Sequence, residues 1–154
     1  MSEAARAVER LPSPAGDALI SLIDVTKRYD GAEHAALDAV SVAVVSGEAV
    51  AVMGPSGSGK STLLNLIAGL DRPSTGEVIV AGERVDRMSE TAAARFRRRE
   101  IGMIFQFFNL LEDLTVQDNV LLPAQLAGMG RSQARSQASE LLVKLGIEQY
   151  RDSL

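Results

Sequence analysis

The chain has 154 residues, 46% of them hydrophobic and 23% charged, with a formal net charge of -4. This composition is typical of a single soluble globular domain, and the acidic balance argues against nucleic acid as a partner. Cysteine is absent from the sequence, which excludes disulfides, thiolate metal sites and thiol catalysis. No apolar run approaches the roughly 18 residues that span a bilayer, and the first ten residues lack the apolar core of a secretory signal. We therefore expect a cytoplasmic protein.

The amino-terminal part of the chain alternates turn-forming residues with short apolar runs. Residues 1–17 contain Pro12 and Pro14 among small and charged residues, and we predict a flexible tail there. The next two runs, 19–25 and 40–45, are rich in β-branched residues and predict strands. The run 49–53 is apolar at every position, as expected of a strand in a sheet that is covered on both faces.

The middle of the chain predicts two helices separated by a hairpin. Turn-forming residues are dense over 71–76, which places the end of the first helix before them. In chain order we predict a helix from Lys60 to about Leu70, a hairpin over 77–80 and the segment near Val85, a helix capped by Ser89 that runs to about Arg99, and a strand over 101–105.

After residue 105 the pattern becomes helical. Thr115 and Asp118 have the spacing of a capping box, with Asp in place of the usual Glu, and they open a helix that Pro123 interrupts. A second helix is predicted from Ser132, because apolar residues recur at helical spacing and Gly146 is placed to end it. Its apolar stripe consists of Ala134, Ala138, Leu141, Leu142 and Leu145.

The stretch between the predicted strand 49–53 and the following helix satisfies the complete Walker A pattern, Gly-x-x-x-x-Gly-Lys-Ser. Glycines allow the backbone to approach phosphates closely, so that successive N–H groups point inward and form an anion nest. Lys60 would then reach the β- and γ-phosphates, and the Ser61 hydroxyl would bind Mg²⁺. The predicted nucleotide-binding residues of this loop are Gly54, Pro55, Ser56, Gly57, Ser58, Gly59, Lys60, Ser61 and Thr62.

A phosphate loop alone leaves several activities open. GTP-hydrolysing switches also need an Asp-x-x-Gly and an Asn-Lys-x-Asp sequence, and this chain contains neither. Small-molecule kinases commonly carry the loop near the amino terminus, whereas about fifty residues precede it here. A small P-loop kinase nevertheless remains an alternative.

Three stretches together resemble the ATP-binding subunits of ABC transporters, and among them the branch that serves lipoprotein-releasing and macrolide-exporting permeases. The resemblance covers about residues 19–154. The first stretch, Val25–Tyr29, is similar to the aromatic loop of the family. The second is "GPSGSGKSTLLNLIAGLD", residues 54–71, and the third is "IGMIFQFFNLL", residues 101–111, which is similar to the glutamine loop.

The resemblance implies an ABC-type P-loop NTPase fold with ATP and Mg²⁺ as cofactors. Tyr29 would stack on adenine, and Gln106 would reach Mg²⁺ or the attacking water. A tail (1–17) would precede a partial α/β ATP-binding core (18–106) with an incomplete core sheet, and a partial helical subdomain (107–154) would follow. The expected partners are a membrane permease and a second ATP-binding subunit, a homodimer in the complete form. The expected location is peripheral, on the cytoplasmic face of the plasma (inner) membrane.

Other motifs of the family do not occur in these 154 residues. They are the Leu-Ser-Gly-Gly-Gln-type signature, an apolar strand ending in Asp-Glu, and a switch histidine. We therefore expect the amino-terminal part of a subunit, which binds ATP weakly and does not hydrolyse it alone. A non-catalytic nucleotide-binding regulatory fragment is an alternative. Because the strand that pairs with 49–53 in the family is missing, we also expect poor solubility.

Overall fold

The computed structural model of the protein describes residues 18–105 and 110–154. These residues form two compact units, one within Met1–Arg97 and the other within Arg98–Leu154. The predicted tail lies outside the described residues, and so does Gln106, so the predicted domain boundary after residue 106 stays a prediction. None of the helices in the two described stretches is both long enough and apolar enough to cross a membrane.

The first unit is built on one antiparallel sheet. Its strands are β1 (Ala18–Lys27), β2 (Leu37–Val45), β3 (Thr75–Val80) and β4 (Glu83–Arg84). Their order in the sheet is β2-β1-β3-β4. Along β3, Val78 and Val80 are buried while Ile79 between them is only half-buried, because successive side chains of a strand point to opposite faces. The two predicted amino-terminal strands and the predicted hairpin are confirmed, although Val85 begins a short 3-10 turn instead of extending β4.

Two helices follow the predicted pattern. The first, α1 (Lys60–Ile67), begins at the predicted residue and ends three residues before the predicted Leu70, a difference close to the usual fraying of helix ends. The second, α2 (Glu90–Glu100), is preceded by Ser89, whose hydroxyl accepts the N–H of Ala92 at 3.3 Å. The buried apolar residues of the first unit are Leu22, Val25, Leu37, Leu66, Ala68, Val78, Val80, Val85, Ala93 and Phe96.

The second unit contains a helical hairpin formed by α3 (Val116–Leu126) and α4 (Arg131–Lys144). The predicted capping box is confirmed, because the Asp118 N–H donates to Thr115 Oγ1 at 3.1 Å and the Thr115 hydroxyl donates to the Asp118 carboxylate at 2.8 Å. Gly146 ends α4 with a φ of 70°, and the Ile147 N–H turns back to Leu142 O at 3.0 Å, as in a glycine-terminated helix. The core of the hairpin consists of Leu121, Ala134 and Ala138.

Two predicted strands are absent from the described residues. Neither 49–53 nor 101–105 is assigned to a strand, and several of their side chains face solvent: Val52 is 43% exposed, Met53 is 88% exposed, and Ile104 is fully exposed. Apolar residues of high strand propensity form a strand only where another strand supplies hydrogen bonds. No described strand pairs with either segment, so both remain irregular.

The helical part also differs from the prediction in two details. The interruption at Pro123 is wrong, because α3 continues through this residue and the Ala127 N–H donates to Pro123 O at 3.0 Å. Proline removes one N–H donor from a helix, and here that loss does not end it. The buried stripe of α4 is narrower than predicted: Leu142 is buried, whereas Leu141 and Leu145 are 48% and 68% exposed.

A largely buried carboxylate, that of Asp86, links β4 to β3. The side chain of Asp86 is only 8% exposed, and its Oδ1 accepts the Val78 N–H at 3.0 Å and the Arg84 Nε–H at 2.9 Å. Its Oδ2 accepts a second Arg84 donor, Nη2, at 2.7 Å. The hydrogen bonds from Arg84, helped by the Val78 N–H and opposed by burial, hold the pKa of Asp86 below its ordinary value of 3.8. The carboxylate is therefore charged in the folded protein near neutral pH.

This arrangement makes the first unit sensitive to acid. Because the pKa of Asp86 is lower in the folded chain than in the unfolded chain, its contribution to stability is present above pH 3.8 and is lost as the pH falls through the folded value. We expect Asp86→Asn to lower the free energy of unfolding at pH 7 by about 1.5–3 kcal/mol. We also expect it to flatten the decline of stability below pH 4 or so.

Urea denaturation at pH 7 and pH 3 measures both effects. The exposed strand residue Asp38 supplies the control, since Asp38→Asn should change stability by no more than about 0.5 kcal/mol. An unchanged pH dependence in Asp86→Asn would contradict the assignment.

Candidate functional site

The start of α1 leaves backbone donors free for an anion. Gly59, immediately before the helix, has a φ of 86°, in the left-handed region that favours glycine. No side chain in the described part of the chain caps this end of α1, and the first helical N–H groups have no carbonyl one turn earlier to which they could donate. These N–H groups and the helix dipole together favour a negatively charged ligand.

The Lys60 side chain folds back over the phosphate loop. Its Nζ donates to Gly54 O at 2.9 Å and to Pro55 O at 2.8 Å, and it lies 3.5 Å from Ser58 Oγ. All three acceptors are uncharged. An anion entering the loop would offer the ammonium group stronger, charge-assisted hydrogen bonds than these carbonyls do.

At two glycines of the loop, an added Cβ would come closer to a neighbouring atom than a side chain normally does. A Cβ on Gly54 would lie 2.7 Å from Ser58 Oγ. A Cβ on Gly59 would collide with the carbonyl oxygen of Ala36, which belongs to the connection between β1 and β2. That connection is itself anchored, because the Ala36 N–H donates to Lys27 O at 2.7 Å. The β1–β2 connection therefore packs directly against the backbone of the phosphate loop.

Tyr29 lies in the same connection and reaches the first turn of α1. Its hydroxyl is 3.4 Å from Thr62 Oγ1 and donates to Asp71 Oδ2 at 3.0 Å. The Lys27 ammonium lies over the ring of Tyr29, 4.8 Å from its centroid, which is cation–π distance. Tyr29 as a whole is 43% exposed. The fold thus brings the predicted aromatic residue next to the predicted phosphate loop.

Asp71 is the polar centre of this group. Lys27 Nζ donates to its Oδ1 at 2.6 Å, and the Arg72 N–H donates to the same oxygen at 2.7 Å. Partial burial raises the pKa of Asp71, but the hydrogen bonds from Lys27, Arg72 and Tyr29 outweigh it and leave the pKa below its ordinary value. The carboxylate is therefore ionised and holds a lysine and a tyrosine together.

The remaining predicted residues are less constrained by the structure. Ser61 is exposed at the start of α1, and Gln106 lies outside the described residues. The roles assigned to all of these residues stay predictions. Sequence reasoning assigned no role to Lys27 and Asp71, although both belong to the stretches that carry the resemblance. Their signal is weak, because 44 positions separate them along the chain.

Comparison with known proteins agrees with this geometry. The model of the ABC transporter family matches residues 37–154. The chain belongs to the ABC transporter family. It is 49% identical over 112 residues to the lipoprotein-releasing system ATP-binding protein LolD of Chromohalobacter salexigens, an alignment that covers 73% of this chain and 47% of LolD. It is 45% identical over 131 residues to the macrolide export ATP-binding/permease protein MacB of Hyphomonas neptunium, covering 84% of this chain and 20% of MacB.

Solved structures of the family share the fold. The ATP-binding cassette MJ0796, solved as a dimer in a post-hydrolysis state bound to ADP and Pi, superposes with a TM-score of 0.78 at 37% identity. The superposition covers 86% of this chain and 60% of that cassette. The predicted family, branch and fold class, an ABC-type P-loop NTPase, are therefore confirmed. The chain spans about half the length of LolD.

The loop of this ABC family member fits a phosphate chain on its own geometry. The space next to Gly59 is closed to a Cβ, and the N–H groups at the start of α1 have no side-chain cap. The Lys60 ammonium lies at the loop and donates to uncharged carbonyls. Backbone donors and one mobile cation are the groups that bind phosphates in loops of this kind.

Two glycine substitutions separate conformational strain from close packing. Gly57 and Gly59 both have positive φ, 79° and 86°, but a Cβ would meet neighbouring atoms within 4 Å only at Gly59, where the Ala36 carbonyl lies closest. We expect Gly57→Ala to lower the free energy of unfolding by about 1–2 kcal/mol through strain alone. Gly59→Ala should lower it by a further 1–3 kcal/mol or so. Urea denaturation of both variants checks the difference, and equal losses would show that the Ala36 contact is unimportant.

Proposed function

We propose that the chain is the ATP-binding part of an ABC transporter subunit that energises a membrane permease for export or lipoprotein release. The observation that carries the proposal is the start of α1. Its first N–H groups, directly after Gly59, have no side-chain cap, and the Lys60 side chain folds over the phosphate loop. Relatives named for lipoprotein release and for macrolide export support export or lipoprotein release as the process that is energised.

Different residues of the chain would bind different parts of the nucleotide. The backbone N–H groups of 54–62 would bind the phosphates, and Lys60 would exchange the carbonyls of Gly54 and Pro55 for phosphate oxygens. The Ser61 hydroxyl would be a ligand of Mg²⁺. When bound, the Mg²⁺ ion neutralises charge on the phosphates. Tyr29 would stack on adenine. Gln106 is proposed as the residue that reaches Mg²⁺ or the attacking water.

The proposed partners are a permease and a second ATP-binding subunit, with a location on the cytoplasmic face of the membrane. The solved cassette MJ0796 is dimeric, and MacB is named as a combined ATP-binding and permease protein. In this proposal the described residues supply nucleotide binding. The 154-residue chain alone should not turn over ATP, because it contains no Asp-Glu pair after an apolar strand to orient the attacking water.

Replacement of the loop lysine tests nucleotide binding. We expect Lys60→Ala to weaken MgATP binding about 10- to 100-fold in calorimetric titration, because charge-assisted hydrogen bonds contribute roughly 1.5–3 kcal/mol. Lys144→Ala, at the exposed end of α4, is the matched control and should bind as the unsubstituted chain does. A thermal melt of each variant separates lost binding from lost folding.

Other results would favour other functions. Equal MgATP affinity in Lys60→Ala would contradict the assignment of the phosphate loop. Permease binding without any hydrolysis, even when a complete ATP-binding subunit is added, would favour a regulatory fragment. Transfer of phosphate from ATP to a small acceptor would favour a kinase. Family-like, Mg²⁺-dependent turnover by the chain alone, abolished in Lys60→Ala, would overturn the expectation that it does not hydrolyse ATP.

A further inference from the structure

We infer that Lys27 and Asp71 are positioning residues that hold the Tyr29 ring in one orientation, with one face closed by the lysine ammonium and the other presented to the base of the nucleotide. Lys27, Tyr29 and Asp71 are called the tyrosine clamp below. The inference rests on the proposed function, because it needs a nucleotide at the phosphate loop. It concerns residues to which the sequence assigned no role.

The Asp71 carboxylate accepts a hydrogen bond from each of the other two members of the clamp. One oxygen accepts Lys27 Nζ at 2.6 Å and the other accepts the Tyr29 hydroxyl at 3.0 Å. Lys27 is further fixed by a hydrogen bond to Arg72 O at 2.8 Å. The side chains of Lys27 and Asp71 are only 13% and 27% exposed, so solvent screens this ion pair less than an ordinary surface pair.

The two faces of the Tyr29 ring are consequently different. The ammonium group of Lys27 lies over one face, 4.8 Å from the ring centroid, and a planar ligand cannot use that face without displacing the ammonium. Tyr29 is nevertheless 43% exposed, which leaves ring surface for stacking. A ring that is anchored at its hydroxyl and covered on one side loses little further freedom when a base stacks on it, and such preorganisation increases affinity.

The clamp is also connected to both ends of α1. Thr62, in the first turn, lies 3.4 Å from the Tyr29 hydroxyl. Asp71 follows the last turn, where its N–H donates to Asn65 O at 3.3 Å. The helix whose first turn faces the phosphate loop thus sets the distance from that loop to the ring. A ligand that carries both an aromatic base and a phosphate chain matches this arrangement, whereas a phosphate chain without a base uses only one half of it.

The test compares MgATP with magnesium tripolyphosphate, which has the phosphates but no base. Asp71→Asn preserves the shape of the side chain and removes its charge. We expect this variant to bind MgATP roughly three- to tenfold more weakly and to bind tripolyphosphate as the unsubstituted chain does. Asp38→Asn, an exposed carboxylate of β2, is the matched control and should change neither affinity.

Tyr29→Phe supplies a second variant in case Asp71→Asn folds poorly. It keeps the ring and the carboxylate but removes the hydroxyl that joins them, and it should weaken MgATP binding in the same range without affecting tripolyphosphate. The double variant should lose no more affinity than the larger single loss, because both changes break the same hydrogen bond. Strictly additive losses would overturn the clamp.

Tyrosine fluorescence gives a readout that a purely structural role would not produce. The chain has two tyrosines and no tryptophan, so Tyr150→Phe leaves Tyr29 as the only emitter. A hydrogen bond from a phenol to a carboxylate quenches tyrosine emission, and we expect Asp71→Asn to brighten Tyr29 and MgATP, but not tripolyphosphate, to dim it.

The outcomes distinguish the two proposals. If the unsubstituted chain binds neither ligand, the proposed function fails and the inference fails with it. If MgATP and tripolyphosphate bind but Asp71→Asn weakens both equally or neither, the clamp alone is overturned and the proposed function stands.

Discussion

The constraint on which the rest of the first unit depends is the close approach of the Ala36 carbonyl to Gly59. Only a residue without a Cβ fits there, and the same residue adopts the left-handed conformation that starts α1. Because Gly59 satisfies both demands, the phosphate loop and the connection between β1 and β2 meet without an intervening side chain. Tyr29 belongs to that connection, so the same contact helps to keep the aromatic residue close to the phosphate loop, while Lys27 and Asp71 contact its ring and hydroxyl directly.

Two carboxylates of the first unit, those of Asp86 and Asp71, hold their neighbours in place through the same combination of hydrogen bonds. Asp86 and Asp71 each accept one backbone N–H and the donors of a basic side chain, Arg84 and Lys27 respectively. Asp86 links β4 to β3, and Asp71 links Tyr29 to Lys27. Partial burial strengthens both groups because it reduces screening by water, and it also makes the loss of either partner strongly destabilising.

Local patterns in the sequence predicted those parts of the structure that depend on neighbouring residues. The start of α1, the Thr115 capping box and the end of α4 at Gly146 all involve groups within one helical turn. The predicted strands at 49–53 and 101–105 are absent because a strand depends on a partner, which apolar composition cannot supply. The contact between Lys27 and Asp71 escaped prediction for a similar reason, since only the folded sheet brings them together. The continuation of α3 through Pro123 depends on the remaining hydrogen bonds of the helix.

The pairing of β1 with β3 has a consequence for the dynamics of the loop. β1 pairs with β2 on one side and with β3 on the other, where Leu22 lies opposite Val78. The long segment between the end of β2 and the start of β3 is therefore attached to one sheet at both ends. Opening that ladder would release the phosphate loop and α1 as one segment, and the entropy gained grows with the length released. In the helical hairpin of the second unit, by contrast, α3 and α4 follow each other in the sequence and are joined by a short connection. Fraying of the central strands would therefore also free the phosphate loop.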